Sequence, residues 1–291
     1  MTDITADLVR ELVAEQFPQW SDLPVSPVEP QGWDNRTFRL GAELAVRLPS
    51  AEGYVAAVEK EDRSLPALAR FLPLPVPEVV ATGRPNGRYP FPWSVRRWLA
   101  GDTVAGATEL DRTVLARDLG DVLTALREVP TEHGPAGGRH SYFRGCHPSV
   151  YGDQVETALA TLGDTVDAVA CEAVWANALT SAWPNAPVWF HGDVAPGNLL
   201  VTGGRLSAVI DFGTCGVGDP ACDLVMAWTY FEGEERQVFR KAAGLSDEVW
   251  RRARGWALWK ALATMGGLSG PDPEGFQTRV LAEVLHDPVI G

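Results

Sequence analysis

The sequence lacks any uninterrupted apolar run that approaches the roughly 20 residues of a membrane-spanning helix. Its first residues include acids where a secretory signal peptide has a basic start and an apolar core. It has only four cysteines and no Cys-x-x-Cys pair, and a chain of this size does not depend on disulfide bonds. These absences predict a cytoplasmic protein with reduced thiols and no membrane association.

A surplus of positive charge is also missing. Lys and Arg total 25 against 38 Asp and Glu, so the formal net charge is −13. Because nucleic-acid binding depends on clustered Lys and Arg, this charge argues against a nucleic-acid partner. A cationic small-molecule partner is compatible with it, although net charge chiefly governs solubility and long-range steering. The 291 residues contain no repeat and suffice for one large domain or two lobes.

The most informative segment is His191-Gly-Asp-Val-Ala-Pro-Gly-Asn198, which Asp211-Phe-Gly213 follows at a short distance. In a phosphoryl-transfer site, one aspartate accepts the proton of the attacking hydroxyl, and an asparagine and a second aspartate hold the metal. The spacing assigns these roles to Asp193, Asn198 and Asp211. Each motif alone has a simpler interpretation, since Asp-Phe-Gly occurs by chance and His-Gly-Asp can be a capped turn. Their joint occurrence favours the catalytic interpretation.

The segment between the two motifs supports this interpretation. Apolar runs at 199–201 and 206–210 flank Thr202-Gly-Gly-Arg205, a composition suited to a hairpin turn. Such a hairpin returns the chain to the loop it left. The sequence therefore predicts that Asp211 lies beside Asn198.

Residues 191–198 and 211–223 resemble the aminoglycoside phosphotransferase family, a branch of the protein-kinase-like fold. Protein kinases usually carry Arg where Gly192 stands, and the Gly-Asp-Pro at Asp219 is similar to the small-molecule branch. The resemblance implies a bilobed α+β fold. The pattern changes from strands to helices after Gly101, which predicts a small antiparallel-sheet lobe with the hinge at its end in residues 1–103 and a larger, mainly helical catalytic lobe in residues 104–291.

In the small lobe, strands are predicted at 31–41 and 44–48. The resemblance implies that they cover the nucleotide phosphates and supply a cation, here Arg47 where Lys is usual. A Gly-x-Gly-x-x-Gly loop is absent, and the planar guanidinium is not equivalent to an ammonium group. Glu61 on the next helix is the expected partner, because it lies beside an apolar stripe while Glu59 turns away. An exposed strand cation and a solvated helix acid are the simpler alternatives.

The resemblance also locates the hinge, where backbone groups would meet the nucleobase at Trp98, Leu99 and Gly101. The side chains of Trp93 and Trp98 are interpreted as core aromatics rather than as stacking partners of the base.

Amphipathic patterns predict helices over 5–17, 111–129 and 249–264. Residues 131–153 show no sustained period and are predicted to form a long loop, a class of segment that often carries recognition. The tryptophans of the C-terminal region are interpreted as core residues.

Several residues after the catalytic motifs have structural interpretations. Asp219, followed by Pro220, is predicted to cap a helix, and Asp223 to support the same segment. Cys215 is interpreted as a small residue fitted near a loop. In the family, acids of the large lobe often receive amino groups of the acceptor. The corresponding candidates are Glu232, Glu234 and Glu235, although a solvated loop position is the favoured interpretation of each.

These patterns predict an enzyme that transfers the γ-phosphoryl group of ATP or GTP, with Mg²⁺, to a hydroxyl group of a small molecule. The resemblance makes an antibiotic, and first an aminoglycoside, the expected acceptor, while a macrolide or a metabolite remains an alternative. A nucleotide-binding regulator without turnover is the alternative from another class. The identity of the acceptor, the hydroxyl modified, the choice between ATP and GTP and the oligomeric state stay open.

Overall fold

A five-stranded antiparallel sheet forms the centre of the small lobe. In this computed structural model, which describes residues 3–32 and 34–287, two helices flank that sheet. The helices of this lobe are Ala6–Gln16 (α1) and Val55–Leu68 (α2). The strands are Val25–Pro27 (β1), Asn35–Leu40 (β2), Leu44–Pro49 (β3), Val79–Gly83 (β4) and Trp93–Arg97 (β5), in the spatial order β1-β2-β3-β5-β4. Trp33, within the predicted strand 31–41, lies outside the described residues, and the observed strand begins at Asn35.

The alternation of side chains along the strands divides this sheet into two faces. Phe38 of β2 and Val46 of β3 are buried against Leu12 of α1 in the core of the small lobe. The intervening positions face the other way, towards α2. Arg47 lies on that second face and therefore reaches Glu61, as its contacts below demonstrate.

The large lobe is mainly helical. Its helices are Arg112–Arg127 (α3), Gly152–Leu162 (α4), Ala168–Ala178 (α5), Met226–Thr229 (α6), Gly233–Ala243 (α7), Asp247–Met265 (α8) and Phe276–His286 (α9). Its strands are Asp102–Thr103 (β6), Val188–Phe190 (β7), Leu199–Thr202 (β8), Arg205–Val209 (β9) and Gly216–Gly218 (β10). The predicted bilobed α+β fold is confirmed. No helix within residues 3–32 and 34–287 is long and apolar enough to cross a membrane.

Helix α3 shows why the sequence forms these helices. Its N-cap residue Asp111 accepts the backbone N–H groups of Thr113 and Val114, both at 3.0 Å. Its apolar face is buried against α7, where Gly120 permits close approach to Ala242. Helix α8 contributes the buried Trp250 and Trp256, so the predicted core role of these tryptophans is confirmed.

The predicted loop at 131–153 is irregular, with two short 3₁₀ turns at Arg139–Ser141 and Pro148–Tyr151. It ends earlier than predicted, because α4 begins at Gly152. Its first part packs onto β10, where the N–H of Gly137 donates to the carbonyl oxygen of Val217 at 3.0 Å. This loop is therefore attached to the segment that follows Asp211.

Candidate active site

The backbone of the His191-Gly-Asp motif is fixed by one buried carboxylate. Asp223 accepts the N–H of His191 and the N–H of Gly192, each at 2.7 Å. The Nε2 atom of His191 lies 3.0 Å from the carbonyl oxygen of Ile210, which assigns the proton to Nε2 and leaves Nδ1 to accept the N–H of Asp193. The predicted supporting role of Asp223 is thus a direct hydrogen bond to the catalytic motif.

Gly192 is required by its conformation and by its surroundings. Its φ is +85°, a region that residues with a Cβ rarely adopt. A Cβ there would stand 2.8 Å from Oγ1 of Thr214 and 2.9 Å from its carbonyl oxygen. The Arg that protein kinases carry at this position does not fit here without a backbone shift.

The two predicted catalytic motifs lie side by side, as the predicted hairpin requires. Strands β8 and β9 are antiparallel neighbours, with Leu199 paired with Val209 and Thr202 paired with Arg205. Beyond the pair Leu199–Val209, the N–H of Ile210 donates to the carbonyl oxygen of Asn198 at 3.0 Å. Asp211 therefore lies next to the loop that carries Asp193. The side-chain nitrogen of Asn198 donates to the carboxylate of Asp193 at 3.0 Å, and Asp193 itself is exposed.

The chemistry of this donor set fits a hard cation. Because the amide nitrogen of Asn198 is engaged with Asp193, its oxygen is the atom that can face a metal. Asp34, in the loop before β2, has a pKa raised by burial and also by the charges of Asp211 and Asp193. Carboxylates that repel one another in this way favour a bound cation. No cluster of three His, Cys, Asp or Glu suited to a metal occurs in the described part of the chain.

Arg47 joins the two lobes. Its Nη1 lies 3.0 Å from both carboxylate oxygens of Glu61, and its Nη2 lies 2.6 Å from Oδ1 of Asp211. Burial opposes ionisation of Asp211, but the guanidinium of Arg47 outweighs burial and holds the pKa of Asp211 below its usual value. The expected pairing of Arg47 with Glu61 is present, and neither residue is a solvated surface charge, since their side chains are only 12% and 0% exposed.

Glu61 also binds the Asp-Phe-Gly segment, because its Oε1 accepts the N–H of Phe212 at 3.1 Å. Sequence reasoning missed its second cation, Arg96. Arg96 is 3% exposed, and its Nη1 lies 2.9 Å from Oε1 of Glu61. Its Nη2 lies 2.5 Å from Oδ1 of Asp62. The one available signal was that charged residues directly follow the uncharged strand residues Trp93-Ser-Val95.

The surroundings of the two tryptophans at and before the predicted hinge agree only in part with their interpretation as core aromatics. Trp93 is fully buried in the core of the small lobe, as expected. Trp98 is only partly buried, and the guanidinium of Arg39 lies 4.1 Å from its ring centroid, so the interpretation of Trp98 as a core aromatic was wrong. The N–H of Trp98 donates to the carbonyl oxygen of Glu43 at 2.8 Å, which removes that N–H from any contact with a nucleobase.

The other two predicted hinge residues follow Trp98 in the chain. Leu99 is half-buried next to Trp98. Gly101 has a φ of +139° and lies against the carbonyl oxygen of Val201.

The remaining candidates have structural partners. Asp219 caps the 3₁₀ helix Pro220–Leu224 by accepting the N–H of Ala221, and it pairs with the buried Arg252 at 2.6 Å. Cys215 is fully buried, in agreement with its interpretation as a packed small residue.

The acids proposed for acceptor binding lie at the start of α7. Glu235 pairs with Arg112 at 2.9 Å and accepts the N–H of Glu232 at 3.3 Å. Its carboxylate is thus engaged in capping its own helix.

The fold and site define a phosphotransferase with a protein-kinase-like architecture. A family model described as the phosphotransferase enzyme family matches residues 26–256. The chain belongs to this family, and it is accordingly a nucleotide-dependent phosphotransferase.

Solved structures with the same fold cover nearly the whole chain. The GDP and kanamycin complex of APH(2″)-IIIa has a TM-score of 0.72 and 18% identity, over 94% of this chain and 96% of that chain. The macrolide 2′-phosphotransferase MphH from Brachybacterium faecium has a TM-score of 0.65 and 23% identity, over 96% and 98%. The streptomycin–ATP–APH(2″)-IIa complex has a TM-score of 0.62 and 18% identity, over 99% and 98%. No curated protein sequence matches the chain significantly.

Proposed function

We propose that this protein transfers the γ-phosphoryl group of ATP or GTP to a hydroxyl group of a small antibiotic. The single observation that carries the proposal is the convergence of Asp193, Asn198 and Asp211. Two loops joined by one hairpin bring these side chains together, and the exposed Asp193 stands where an acceptor can reach it. Such an arrangement supplies the positioning and the charge stabilisation on which phosphoryl transfer depends.

Asp193 is the residue that orients the acceptor hydroxyl and accepts its proton. The side-chain nitrogen of Asn198, 3.0 Å from Oδ2 of Asp193, holds the carboxylate in one orientation. The proton therefore moves from the acceptor oxygen to the carboxylate as the oxygen attacks the γ-phosphorus, while the bond from that phosphorus to the β–γ bridging oxygen breaks and the nucleoside diphosphate leaves. The N–H of Asp193 donates to His191, which fixes the backbone behind that carboxylate.

Asn198 and Asp211 would hold Mg²⁺, which neutralises charge on the phosphate oxygens when it is bound. Arg47 is the cation for the phosphates, and Glu61 orients it from α2. The nucleobase is assigned to the hinge formed by Trp98, Leu99 and Gly101, with the small lobe ending near residue 103. Since the N–H of Trp98 already has a protein acceptor, the backbone groups that contact the base are proposed to be those of the residues after Trp98.

An aminoglycoside is the leading acceptor. The support is the kanamycin and streptomycin bound to two proteins of the same fold and the net charge of −13, which suits a cationic ligand. A macrolide is the second candidate, favoured by the 23% identity to the macrolide 2′-phosphotransferase over almost the full chain. The capping role of Glu235 weakens the case that this acid receives amino groups of the acceptor.

The test is Mg²⁺-dependent turnover of ATP and GTP against a panel of aminoglycosides, macrolides, other antibiotics and hydroxylated metabolites. Asp193→Asn is the inactive variant, and Asp22→Asn, at an exposed position of the small lobe, is its matched control. A phosphorylated product that is lost only in Asp193→Asn supports the proposal. Nucleotide binding without turnover on any acceptor would instead favour a regulator.

A further inference from the structure

Helix α2 makes a second contact with the large lobe one residue before Glu61. The side chain of Lys60 is only 5% exposed, and its Nζ lies 3.0 Å from Nδ1 and 3.2 Å from the carbonyl oxygen of His140. Lysine rarely occupies such a buried position without a specific partner. The two acceptors on His140 provide that partner.

His140 is itself held by the large lobe. Its Nε2 lies 2.7 Å from the carbonyl oxygen of Ala136, so Nε2 carries the proton and Nδ1 accepts from Lys60. Ala136 forms a β-bridge with Val217, in the strand that follows the Asp-Phe-Gly segment. Lys60 is therefore connected, through His140 and Ala136, to the chain immediately beyond the proposed metal ligand Asp211.

The surroundings of Lys60 make this contact costly to lose. Burial lowers the pKa of Lys60, while the charge of Glu61 acts in the opposite direction. A buried ammonium group without hydrogen-bond acceptors is strongly unfavourable, and the long lysine side chain also loses rotamer freedom on burial. The contact with His140 compensates part of this cost only while α2 stays against the large lobe.

We propose that Lys60 and His140 form an interlobe tether that holds α2 against the large lobe and thereby positions Glu61 for phosphoryl transfer. Both are positioning residues. Lys60 and Glu61 are consecutive on one helix, so a shift that breaks the tether also displaces the carboxylate that orients Arg47. This inference rests on the proposed function for its effect on turnover, but the tether itself can be measured independently.

The first measurement is kinetic. Lys60→Met, His140→Ala and the double variant are compared for kcat of basal ATP and GTP hydrolysis and for the Kd of each nucleotide, well below the melting temperatures of all variants. We expect kcat to fall about tenfold to a hundredfold, the range that displacement of a positioning group produces, with little change in Kd. The double variant should lose no more than the worse single variant, since both substitutions break one contact. Lys241→Met, at an exposed position of α7, should leave both constants unchanged.

The second measurement needs no turnover. Amide hydrogen exchange over residues 55–68 should become faster in Lys60→Met than in the unsubstituted protein, while exchange in α8 should not change. Unchanged exchange over 55–68 would overturn the tether whether or not the protein is a kinase. Faster exchange with unchanged kcat would overturn its positioning role. A protein that binds and hydrolyses no nucleotide would refute the proposed function, and exchange alone would then decide whether the tether exists.

Discussion

Arg96 of β5 and Glu61 of α2 form an ion pair that is buried at both ends, with Nη1 of Arg96 2.9 Å from Oε1 of Glu61 and side-chain exposures of 3% and 0%. Glu61 also contacts Arg47, so two guanidinium groups share one carboxylate. If Arg47 binds the nucleotide phosphates as proposed, Arg96 would still compensate the charge of Glu61. A buried carboxylate with a single cation would be left uncompensated when that cation moved away.

Removing Arg96 should therefore destabilise the small lobe strongly. In Arg96→Met, Glu61 loses one of its two cations and Asp62 loses its only observed ion-pair partner in the described residues. Glu61 is then left with Arg47, which also pairs with Asp211, and Asp62 is left without a cation, so we expect the free energy of unfolding to fall towards the roughly 3–5 kcal/mol that breaking a buried ion pair costs. Urea denaturation monitored by tryptophan fluorescence measures this change.

Arg97→Met is the matched control for that substitution. Arg97 is the next residue of the same strand, is 51% exposed, and lies 3.6 Å from the exposed carboxylates of Glu43 and Glu78. Exposed pairs of this kind contribute about 0–1 kcal/mol. Equal losses in the two variants would contradict the argument that burial distinguishes Arg96.

Glu61 should also give the protein a defined acid sensitivity. Burial alone would raise the pKa of Glu61, but Arg47 and Arg96 outweigh burial and hold it below the usual value of 4.5. The folded state then binds fewer protons than the unfolded state, so the stability due to ionised Glu61 is complete above that value. It is lost as the pH falls through the lower pKa of the folded state.

The check is a comparison of Glu61→Gln with the unsubstituted protein by urea denaturation at several pH values. The difference in free energy of unfolding should be largest near neutral pH and should shrink below about pH 4.5. Glu59→Gln, at an exposed position of the same helix, should show no such dependence. A difference for Glu61→Gln that is independent of pH would refute the electrostatic explanation.

Sequence reasoning could identify Asp193, Asn198 and Asp211 because their relative positions depend on local spacing and one hairpin. Arg47 and Glu61 required the family resemblance, since a strand cation and a helix acid are each ordinary. The Lys60–His140 contact could not be predicted, because the residues are distant in the chain and nothing local indicates that the loop at 131–151 packs against α2.

Trp98 was misjudged for a related reason. Its surroundings depend on a neighbouring strand, where Arg39 supplies the cation over the ring. Composition makes burial the default for tryptophan, but it does not reveal which charged side chain lies alongside. Tertiary partners of single residues are thus the part of the site that sequence patterns leave undetermined.

Asp223 should affect both catalysis and stability through the backbone of the catalytic motif. Asp223→Asn keeps the shape of the side chain but replaces one of its two carboxylate oxygens, which accept the N–H groups of His191 and Gly192, with an NH₂ group. One buried N–H then faces another donor, and we expect a loss of about 1–3 kcal/mol in the free energy of unfolding. Turnover should fall together with it, whereas Asp22→Asn changes neither quantity. Full activity in Asp223→Asn would show that the motif keeps its geometry without these bonds.

Two glycines of the same loop provide the sharpest local comparison. At Gly192, with φ +85°, a Cβ would approach both the hydroxyl and the carbonyl oxygen of Thr214 to less than 3 Å, so Gly192→Ala meets strain from its backbone and from its neighbours. At Gly197 a Cβ would meet nothing within 4 Å. We expect Gly192→Ala to lower the free energy of unfolding by about 1–3 kcal/mol, the usual cost of one strained backbone position. Gly197→Ala should stay within about 0.5 kcal/mol of the unsubstituted protein, as surface substitutions do. Urea denaturation of both variants measures the difference. Equal stability of the two variants would mean that the loop relaxes around the added methyl group. Gly192 would then not be required for the geometry of Asp193.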